Sequence, residues 1–414
     1  MSKKVITAGL DIGSSQVCCV AGTRDNESRM VRILGAASVS CDGIKAGAVV
    51  NIHESALAIG KAFEEIEKIT CARIGNVIVA MRGNFIKSKS SKGVANINYS
   101  NREVTVETID NALESAKKQI KIEPDQEIFQ IIPREYILNQ QRGIQNPIGM
   151  EGAYIEVDVC AFIASSNNVS NVTKSMSSIG ISYDDRIYGY LAASDILVTR
   201  EEKELSCLAI DFGGLTIGLV HYVNGIIRHT DELSEGSDYI TRDIGHKLRA
   251  SYSVSKKIKE THGAAFIYGD FKNEEFEYKA ADGRNIKKCD KLELVNDIIT
   301  PRIDRILYEI REIIEKNNYG YEFLSGGIIL TGGGSNLLGI SEAFEKVFNC
   351  SVRTGTPSSD KVIGPDDILF NPSYTTAIGA IVSSFSDSNA YYFKKRASGG
   401  GMMSRISKWF EEVF

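Results

Sequence analysis

The sequence lacks several features that define common classes of protein. None of its eight cysteines forms a Cys-x-x-Cys pair, and most lie in apolar runs, so we interpret them as reduced thiols and not as a metal site or a disulfide framework. No stretch approaches the roughly 18 apolar residues of a membrane-spanning helix. The N-terminal segment runs directly into an apolar strand, so we expect no signal peptide and a cytosolic protein.

The sequence also lacks an excess of basic charge. Its 48 Lys and Arg residues are outnumbered by 53 Asp and Glu residues, which gives a formal net charge of −5. This balance argues against nucleic acid as a partner, because binding to phosphate backbones needs a basic surface. With 414 residues, of which 43% are hydrophobic, the chain is long enough for two or more globular domains.

Two segments of the chain resemble each other. One centres on Asp11 and the other on Asp211, and each consists of an apolar strand, an Asp-x-Gly turn, a strand, a turn and a strand. This pattern predicts an ancient duplication. A third glycine-rich turn, which ends at Ser335, follows the apolar strand 327–331, and helices are predicted at 53–69, 106–119, 292–316 and 337–348.

The three glycine turns have the chemistry of a nucleotide cleft. Glycine allows the backbone N–H groups to approach phosphate oxygens closely, and serine and threonine add hydroxyl donors. Asp11 and Asp211 would repel a bare phosphate, so we expect Mg²⁺ between them, held through water. The residues assigned to this cleft are Asp11, Gly13, Ser14, Ser15, Asp211, Gly213, Gly214, Thr216, Gly332, Gly333, Gly334 and Ser335.

Each turn alone has a simpler explanation. Asp-x-Gly is common in hairpin turns, and three consecutive glycines often form a loop or a helix cap. The occurrence of all three turns after apolar strands, in this order, favours the nucleotide cleft.

The order of these motifs resembles that of the actin, Hsp70 and sugar-kinase superfamily, with connecting helices matching 187–194 and 374–380. Within it the chain resembles the FtsA family of bacterial cell division proteins, from residue 8 to 414. The most specific stretches are 132–136 (IPREY) and 143–152 (GIQNPIGMEG). The resemblance implies an α/β actin-like ATPase fold with two duplicated RNase-H-like lobes, an inserted α+β subdomain that replaces an actin subdomain, and a C-terminal amphipathic helix.

The same resemblance implies the domain bounds and the function. It places the first lobe at 1–83, 165–195 and 355–385, the inserted subdomain at 84–164, the second lobe at 196–235 and 303–354 with an outer subdomain at 236–302, a linker at 386–401 and a membrane-targeting helix at 402–414. The implied function is an ATP-binding, filament-forming adaptor. It anchors the tubulin-like protein FtsZ to the cytoplasmic face of the inner membrane at the division septum, as a peripheral protein, and recruits later division proteins.

Some residues match the family pattern around the nucleotide and others depart from it. Gly236 and Lys259 match, and join the cleft residues. Leu215 stands where a small residue is usual, Gly218 replaces an acidic residue, and Lys256 replaces a glutamate. With no clear glutamine to orient water, and only Asp184 and Asp185 nearby, we assign no catalytic residue and expect slow or absent hydrolysis.

The C-terminal segment 402–414 is amphipathic. At about 100° per residue, its apolar side chains fall within an arc of about 140°. These are Met402, Met403, Ile406, Trp409, Phe410, Val413 and Phe414. A helix of this kind commonly packs on its own domain. The preceding triple glycine and basic cluster favour an anionic membrane surface instead, where each basic residue adds roughly 1 kcal/mol.

The resemblance also implies a site for the acidic-hydrophobic C-terminal tail of FtsZ near Lys288, Lys291 and Arg302. Spacing alone favours a solvated basic face over such a site. Two other functions remain open from the sequence: a small-molecule kinase of the same superfamily, and a pilus-assembly adaptor similar to PilM, which lacks this C-terminal anchor.

Overall fold

A computed structural model describes most of the chain, namely residues 5–25, 30–98, 102–144, 146–267, 273–316 and 324–385. These residues form two compact units. The first comprises the described parts of Met1–Asn84 and Asn171–Ser383, and the second is built on Phe85–Ser170. The predicted linker at 386–401 and the predicted amphipathic helix at 402–414 lie outside the described residues.

The strands are β1 Thr7–Ile12, β2 Gln16–Arg24, β3 Val31–Ser40, β4 Ile44–Lys45, β5 Ala48–Val49, β6 Asn76–Met81, β7 Ile86–Asn96, β8 Gln126–Leu138, β9 Gln141–Ile144, β10 Tyr154–Ser165, β11 Asp185–Tyr188, β12 Cys207–Phe212, β13 Ile217–Val223, β14 Ile226–Leu233, β15 Glu275–Lys279, β16 Ile286–Asp290, β17 Ile328–Thr331, β18 Val352–Thr354 and β19 Val362–Ile363.

The α-helices are α1 Ile52–Thr70, α2 Val106–Gln119, α3 Ser166–Ser177, α4 Gly189–Leu197, α5 Arg200–Glu204, α6 Ser237–Leu248, α7 Tyr252–His262, α8 Lys291–Glu293, α9 Thr300–Lys316, α10 Ile340–Phe348, α11 Asp366–Leu369 and α12 Thr375–Phe385. A π-helical segment, Leu294–Ile299, joins α8 to α9, and a 3₁₀ turn, Gly333–Asn336, precedes α10.

The first unit contains two sheets that share a five-stranded topology, to which the first sheet adds β19. One has the strand order β11-β6-β1-β2-β3-β19 and the other β14-β13-β12-β17-β18. In each, an antiparallel meander (β1-β2-β3 or β12-β13-β14) is extended by strands parallel to its first strand. Asp11 lies opposite Cys18 and Asp211 lies opposite Gly218, one pair before the hairpin turn in both cases. The predicted duplication of the lobes is confirmed.

Both first strands are buried along their whole length. All six residues of β1 and all six of β12 are buried, as expected for strands covered on both faces. In the second lobe α9 presents Ile303, Ile306, Leu307, Ile310 and Ile314 to the core at helical spacing. The two aspartates therefore end rigid strands at the centres of their sheets.

Helix bounds follow local signals where those exist. Helix α2 has the predicted bounds, with a capping box between Thr105 and Thr108. The helix predicted at 337–348 begins later, at Ile340, because Gly339 adopts a φ of 77°. The helix predicted at 292–316 contains the π-helical segment. Pro301 has no N–H for the carbonyl one turn earlier, so the backbone adjusts just before it.

The helices that match the superfamily connectors, α4 and α12, cross in close contact. A Cβ atom at Gly379 would lie 2.0 Å from the carbonyl oxygen of Ala192. A Cβ atom at Gly9 in β1 would lie 2.0 Å from the carbonyl oxygen of Ala377. Glycine at these two positions allows α12 to lie directly on both α4 and β1.

The second unit is an α+β subdomain. Its sheet has the order β7-β10-β8-β9, and α2 packs on it around Ala112, Leu113 and Ala116. A Cβ atom at Gly93 of β7 would lie 1.9 Å from the carbonyl oxygen of Ala112, which shows how closely the helix lies on the sheet.

Two glycine-to-alanine changes inside helices should have opposite effects. Gly60→Ala in α1 meets only the side chain of Ile179, at 3.6 Å, so it should raise the free energy of unfolding by about 0.5–1 kcal/mol. Gly379→Ala in α12 meets backbone and should lower it by about 1–3 kcal/mol. Urea unfolding followed by circular dichroism measures both. Stabilisation by Gly379→Ala would contradict the close crossing of α4 and α12.

Candidate functional site

The two phosphate loops have the same backbone geometry. The Gly13 N–H donates to the carbonyl of Gln16 at 3.1 Å, and the Gly213 N–H donates to the carbonyl of Thr216 at 3.0 Å. A Cβ atom at either glycine would lie less than 3 Å from that oxygen, so each turn needs glycine at its first position.

The two loops lie against each other across the first unit. The Ser15 hydroxyl donates to Asp238 at 2.7 Å, and a Cβ atom at Gly214 would lie 2.1 Å from the Ser15 Oγ. The Ser14 Oγ accepts the Gly47 N–H at 3.3 Å. Residues from both halves of the duplication therefore meet, as the sequence predicts for one cleft.

A guanidinium group lies between the two aspartates. Arg82 follows β6, the parallel neighbour of β1, and its Nη1 lies 2.6 Å from the Asp211 Oδ2. Its Nη2 lies 2.7 Å from the Asp11 Oδ2. The Arg82 side chain is 13% exposed, whereas the aspartate side chains are only 3% and 4% exposed. One cation thus neutralises carboxylates from both lobes.

The charges of this cluster follow from burial and proximity. Burial raises the pKa of Asp11 to about 6, and the Asp211 carboxylate adds to the increase while Arg82 opposes it. Burial alone would lower the pKa of Arg82, but the carboxylates of Asp11 and Asp211 outweigh this and raise it. Arg82 therefore stays charged at any physiological pH.

The Mg²⁺ expected between Asp11 and Asp211 does not fit this arrangement. Guanidinium nitrogens already lie 2.6 and 2.7 Å from the carboxylate oxygens that such an ion and its waters would contact. In the described part of the chain, no cluster of three or more His, Cys, Asp or Glu side chains is placed to hold a metal ion.

The departure at Gly218 has a steric reason. A Cβ atom there would lie 2.2 Å from the ring of Tyr190, so no acidic side chain can replace this glycine. The Tyr190 hydroxyl lies 3.1 Å from the Thr216 Oγ1 and 2.7 Å from a carboxylate oxygen of Glu232. Thr216, a residue of phosphate loop two, is thus also in contact with Tyr190 of the first connecting helix, α4.

The predicted adenosine loop packs directly on phosphate loop two. Gly332 has a φ of 81°, and a Cβ atom there would lie 2.3 Å from the Asp211 Oδ1. A Cβ atom at Gly334 would lie 2.6 Å from the Phe212 ring, while Gly333 has more open space. The Ser335 hydroxyl donates to the carbonyl of Gly332 at 2.7 Å, which closes the 3₁₀ turn.

Gly236 packs against phosphate loop two, and Lys259 contacts the residue that follows Gly236. A Cβ atom at Gly236 would lie 2.4 Å from the carbonyl oxygen of Gly214. The Lys259 ammonium donates to the carbonyl of Ser237 at 2.9 Å, and burial lowers its pKa. The structure therefore brings the predicted cleft residues of the second lobe together around Gly213 and Gly214.

The predicted partner-binding cations are paired within their own lobe. Lys288 lies 3.0 Å from Glu275, and Lys291 pairs with Glu274. These two lysines belong to one hairpin end, whereas Arg302 lies 11 residues further along a continuous helical stretch, about 16 Å at 1.5 Å per residue. Arg302 is therefore not brought together with Lys288 and Lys291.

The environment of Arg302 is strongly acidic. Its guanidinium contacts both carboxylate oxygens of Asp243, at 2.6 and 3.0 Å, and lies 3.2 Å from Glu235. Its side chain is 16% exposed. A ligand carboxylate at this position would compete with two residues of the chain itself.

Sequence reasoning missed Arg82, Asp238 and Tyr190. The sequence contains one local signal for Arg82, because this residue comes directly after a run of apolar residues, as Asp11 does. The sequence does not show that β6 lies parallel to β1, which places both ends at the same edge of the sheet. Asp238 and Tyr190 reach the loops only through tertiary packing.

Comparisons with known proteins agree with this architecture. The family model described as cell division protein FtsA matches residues 208–379, and the model described as the SHS2 domain inserted in FtsA matches residues 83–163. The cell division protein FtsA of Neisseria meningitidis serogroup B is 32% identical over 98% of this chain and 98% of its own length. The chain belongs to the FtsA family of cell division proteins.

Other relatives support the same membership. FtsA of Escherichia coli K12 is 28% identical over 99% of this FtsA-family chain and 98% of its own length. Among solved structures, a PilM-PilN type IV pilus biogenesis complex has a TM-score of 0.65 at 15% identity, covering 93% of this chain and all of that one. MreB5 of Spiroplasma citri bound to ADP has a TM-score of 0.53 at 12% identity, covering 91% and 95%.

At such low identity these two structures establish the fold alone. The predicted actin-like fold with an inserted subdomain is confirmed. No helix among the described residues has both the length and the apolar character needed to cross a bilayer.

The ionisation of Asp11 should make the stability depend on pH. Its pKa is raised from 3.8 to about 6, so the folded chain keeps a proton that the unfolded chain loses. This contribution is present below pH 4 and lost as the pH rises through 6. Relative to Asp11→Asn, the wild-type free energy of unfolding should fall by about 2–3 kcal/mol between pH 4 and 7.

Urea unfolding across this pH range measures the difference. Asp282→Asn is the control, because hydrogen bonds from Asn285 and Arg284 lower the pKa of the exposed Asp282. Its contribution has the opposite sign and is lost only as the pH falls below 4, so the difference between wild type and Asp282→Asn should stay nearly constant between pH 4 and 7. A difference in unfolding free energy between wild type and Asp11→Asn that does not change with pH would contradict a raised pKa for this buried carboxyl.

Proposed function

We propose that this FtsA-family chain is a nucleotide-binding, filament-forming adaptor that links the division protein FtsZ to the cytoplasmic membrane. The observation that carries the proposal is the meeting of two equivalent phosphate loops, with the glycine-rich 332–335 turn packed beside them, in one compact unit. Family membership supplies the cell-division context.

ATP is the nucleotide that this cleft is proposed to bind. Loop N–H groups and the hydroxyls of Ser14, Ser15 and Thr216 are the proposed phosphate donors, and Gly332 to Ser335 the proposed adenosine contact. Gly236 and Lys259 complete the set. That MreB5, a protein of the same fold, is described as bound to ADP supports this assignment.

Hydrolysis is not part of the proposed function. Asp184, one of two acidic residues near the first connecting helix, accepts the Val77 N–H at 2.7 Å and so holds strand β6 in place. The Gly218 position has no room for an acidic side chain beside Tyr190. Both observations support a nucleotide that regulates assembly more than a substrate that is turned over.

The tail of FtsZ is proposed to bind the outer part of the second lobe, with Arg302 as its main contact and Lys288 and Lys291 further along. Each of these cations already has a carboxylate partner. A tail carboxylate would therefore exchange one ion pair for another, which gives little net affinity. Apolar contacts of the tail must therefore supply most of the binding free energy.

Membrane attachment is proposed to occur through residues 402–414, outside the described residues. Burying an apolar side chain fully contributes up to about 1.5–3 kcal/mol, but ordering a short helix offsets much of this. A single copy should bind weakly, whereas copies on one filament bind together by avidity. Self-assembly and the recruitment of later division proteins are proposed for the inserted subdomain.

The anchor is tested by adding the same charge to opposite faces of the segment. Ile406→Glu places it on the predicted apolar face and Ser407→Glu on the polar face. In pelleting with anionic phospholipid vesicles, Ile406→Glu should reduce the bound fraction at least fivefold, and Ser407→Glu should reduce it less than twofold. Equal effects of both variants, or undiminished binding after deletion of 402–414, would contradict a membrane-bound helix.

The tail site is tested with an FtsZ C-terminal peptide in fluorescence anisotropy. Arg302→Gln removes the proposed contact without adding a third carboxylate beside Asp243 and Glu235, and should weaken binding about tenfold. Arg311→Gln, an exposed arginine on the same helix that pairs with Glu315, is the control and should change binding less than twofold. An unchanged dissociation constant for Arg302→Gln would remove Arg302 from the site.

A further inference from the structure

We propose that the Arg82 guanidinium is the resident cation of the cleft, and that nucleotide phosphates bind beside it without a divalent metal ion. The inference rests on the proposed nucleotide binding and concerns what neutralises the site. It replaces the Mg²⁺ that two facing aspartates would suggest.

Arg82 is held both at its backbone and at the tip of its side chain. The backbone of Arg82 packs on the left-handed turn at Gly47, where a Cβ atom would lie 1.9 Å from the Arg82 carbonyl oxygen. The guanidinium itself bonds Asp11 and Asp211 at 2.7 and 2.6 Å. Its position is therefore set by the fold of both lobes and not by a flexible side chain.

The charge of the cluster explains why a metal is dispensable. The side chains of Asp11 and Asp211 are only 3% and 4% exposed, so their repulsion is poorly screened by water and needs a nearby cation. Arg82 supplies that cation and cannot lose its proton. A divalent ion would have to break two short charge-assisted hydrogen bonds to reach the same oxygens.

The guanidinium is also placed to contact a phosphate. A Cβ atom at Gly13 of the first phosphate loop would lie 3.1 Å from the Arg82 Nη2. A guanidinium has five N–H donors in a planar fork, and the two bonds to Asp11 and Asp211 leave others available. This fork matches phosphate oxygens, which is why arginine is frequent at phosphate sites.

The test is the metal dependence of nucleotide affinity. A fluorescent ATP analogue is titrated into the full-length chain, once in excess EDTA and once in millimolar Mg²⁺. Wild type should bind with dissociation constants within threefold of each other. Arg82→Gln keeps hydrogen-bonding capacity but loses the charge, and should bind at least tenfold more weakly in EDTA, with Mg²⁺ restoring most of the loss.

Two further variants separate charge from stability. Arg82→Lys keeps the charge and should retain metal-independent binding. Arg353→Gln removes a guanidinium that is hydrogen-bonded to Glu202, at 2.6 and 2.7 Å, and that does not contact the phosphate loops. This variant should bind the nucleotide as wild type does in both buffers. The wild-type comparison stands even if an Arg82 variant fails to fold.

The outcomes distinguish this inference from the proposed function. Wild-type binding that weakens tenfold or more in EDTA would overturn the role of Arg82 while keeping the nucleotide cleft. Tighter binding by Arg82→Gln than by wild type in EDTA would make Arg82 a blocking group and would also overturn it. Absence of binding by wild type in both buffers would instead remove the nucleotide from the proposed function.

Discussion

The burial of two carboxylates against one guanidinium is the constraint on which the first unit depends. As a result of the duplication, the central strand of each lobe has an aspartate near its end. Two like charges are therefore brought together where the lobes meet. Arg82 offsets that repulsion, and it joins a strand of the first lobe to Asp211 of the second. Removing one partner of such a pair costs about 3–5 kcal/mol because it leaves the other charge buried and unpaired, so the contact between the lobes depends on all three side chains.

The glycines around this cluster are a consequence of its compactness. Gly13 lies against the Gln16 carbonyl oxygen, Gly332 against Asp211, and Gly214 against the Ser15 hydroxyl, each too close for a Cβ atom. The motifs that favour phosphate binding are thus required by packing as well. A glycine turn in this fold is therefore not proof of a ligand, and the decisive feature is that the turns of both lobes converge.

Local signals made much of this predictable. Helix α2 was predictable to the residue because apolar spacing and the Thr105 cap lie within a few positions, and the duplicated strands because Asp-x-Gly follows an apolar run twice. Arg82 was not, since it joins the site only through the parallel pairing of β6 with β1. Tyr190 likewise explains Gly218 only once the first connecting helix is packed on β13. The π-helical segment before Pro301 depends on how α9 enters the core.

A fixed guanidinium changes how the cleft must gain its affinity for phosphate. With Asp11 and Asp211 ionised, the three side chains together carry one net negative charge, whereas a divalent ion would have left none. The proposed attraction for a nucleotide therefore comes from the N–H groups of the glycine loops, from Lys259 and from the Arg82 N–H groups that Asp11 and Asp211 leave available. Burial lowers the pKa of Lys259 while Asp238 raises it, so this lysine depends on a carboxylate that also accepts the Ser15 hydroxyl. Ser15 is also a proposed phosphate donor and its hydroxyl has only one proton to donate, so a phosphate bound there would compete with Asp238 for it. Such competition would couple occupancy of the proposed cleft to the contact between the lobes.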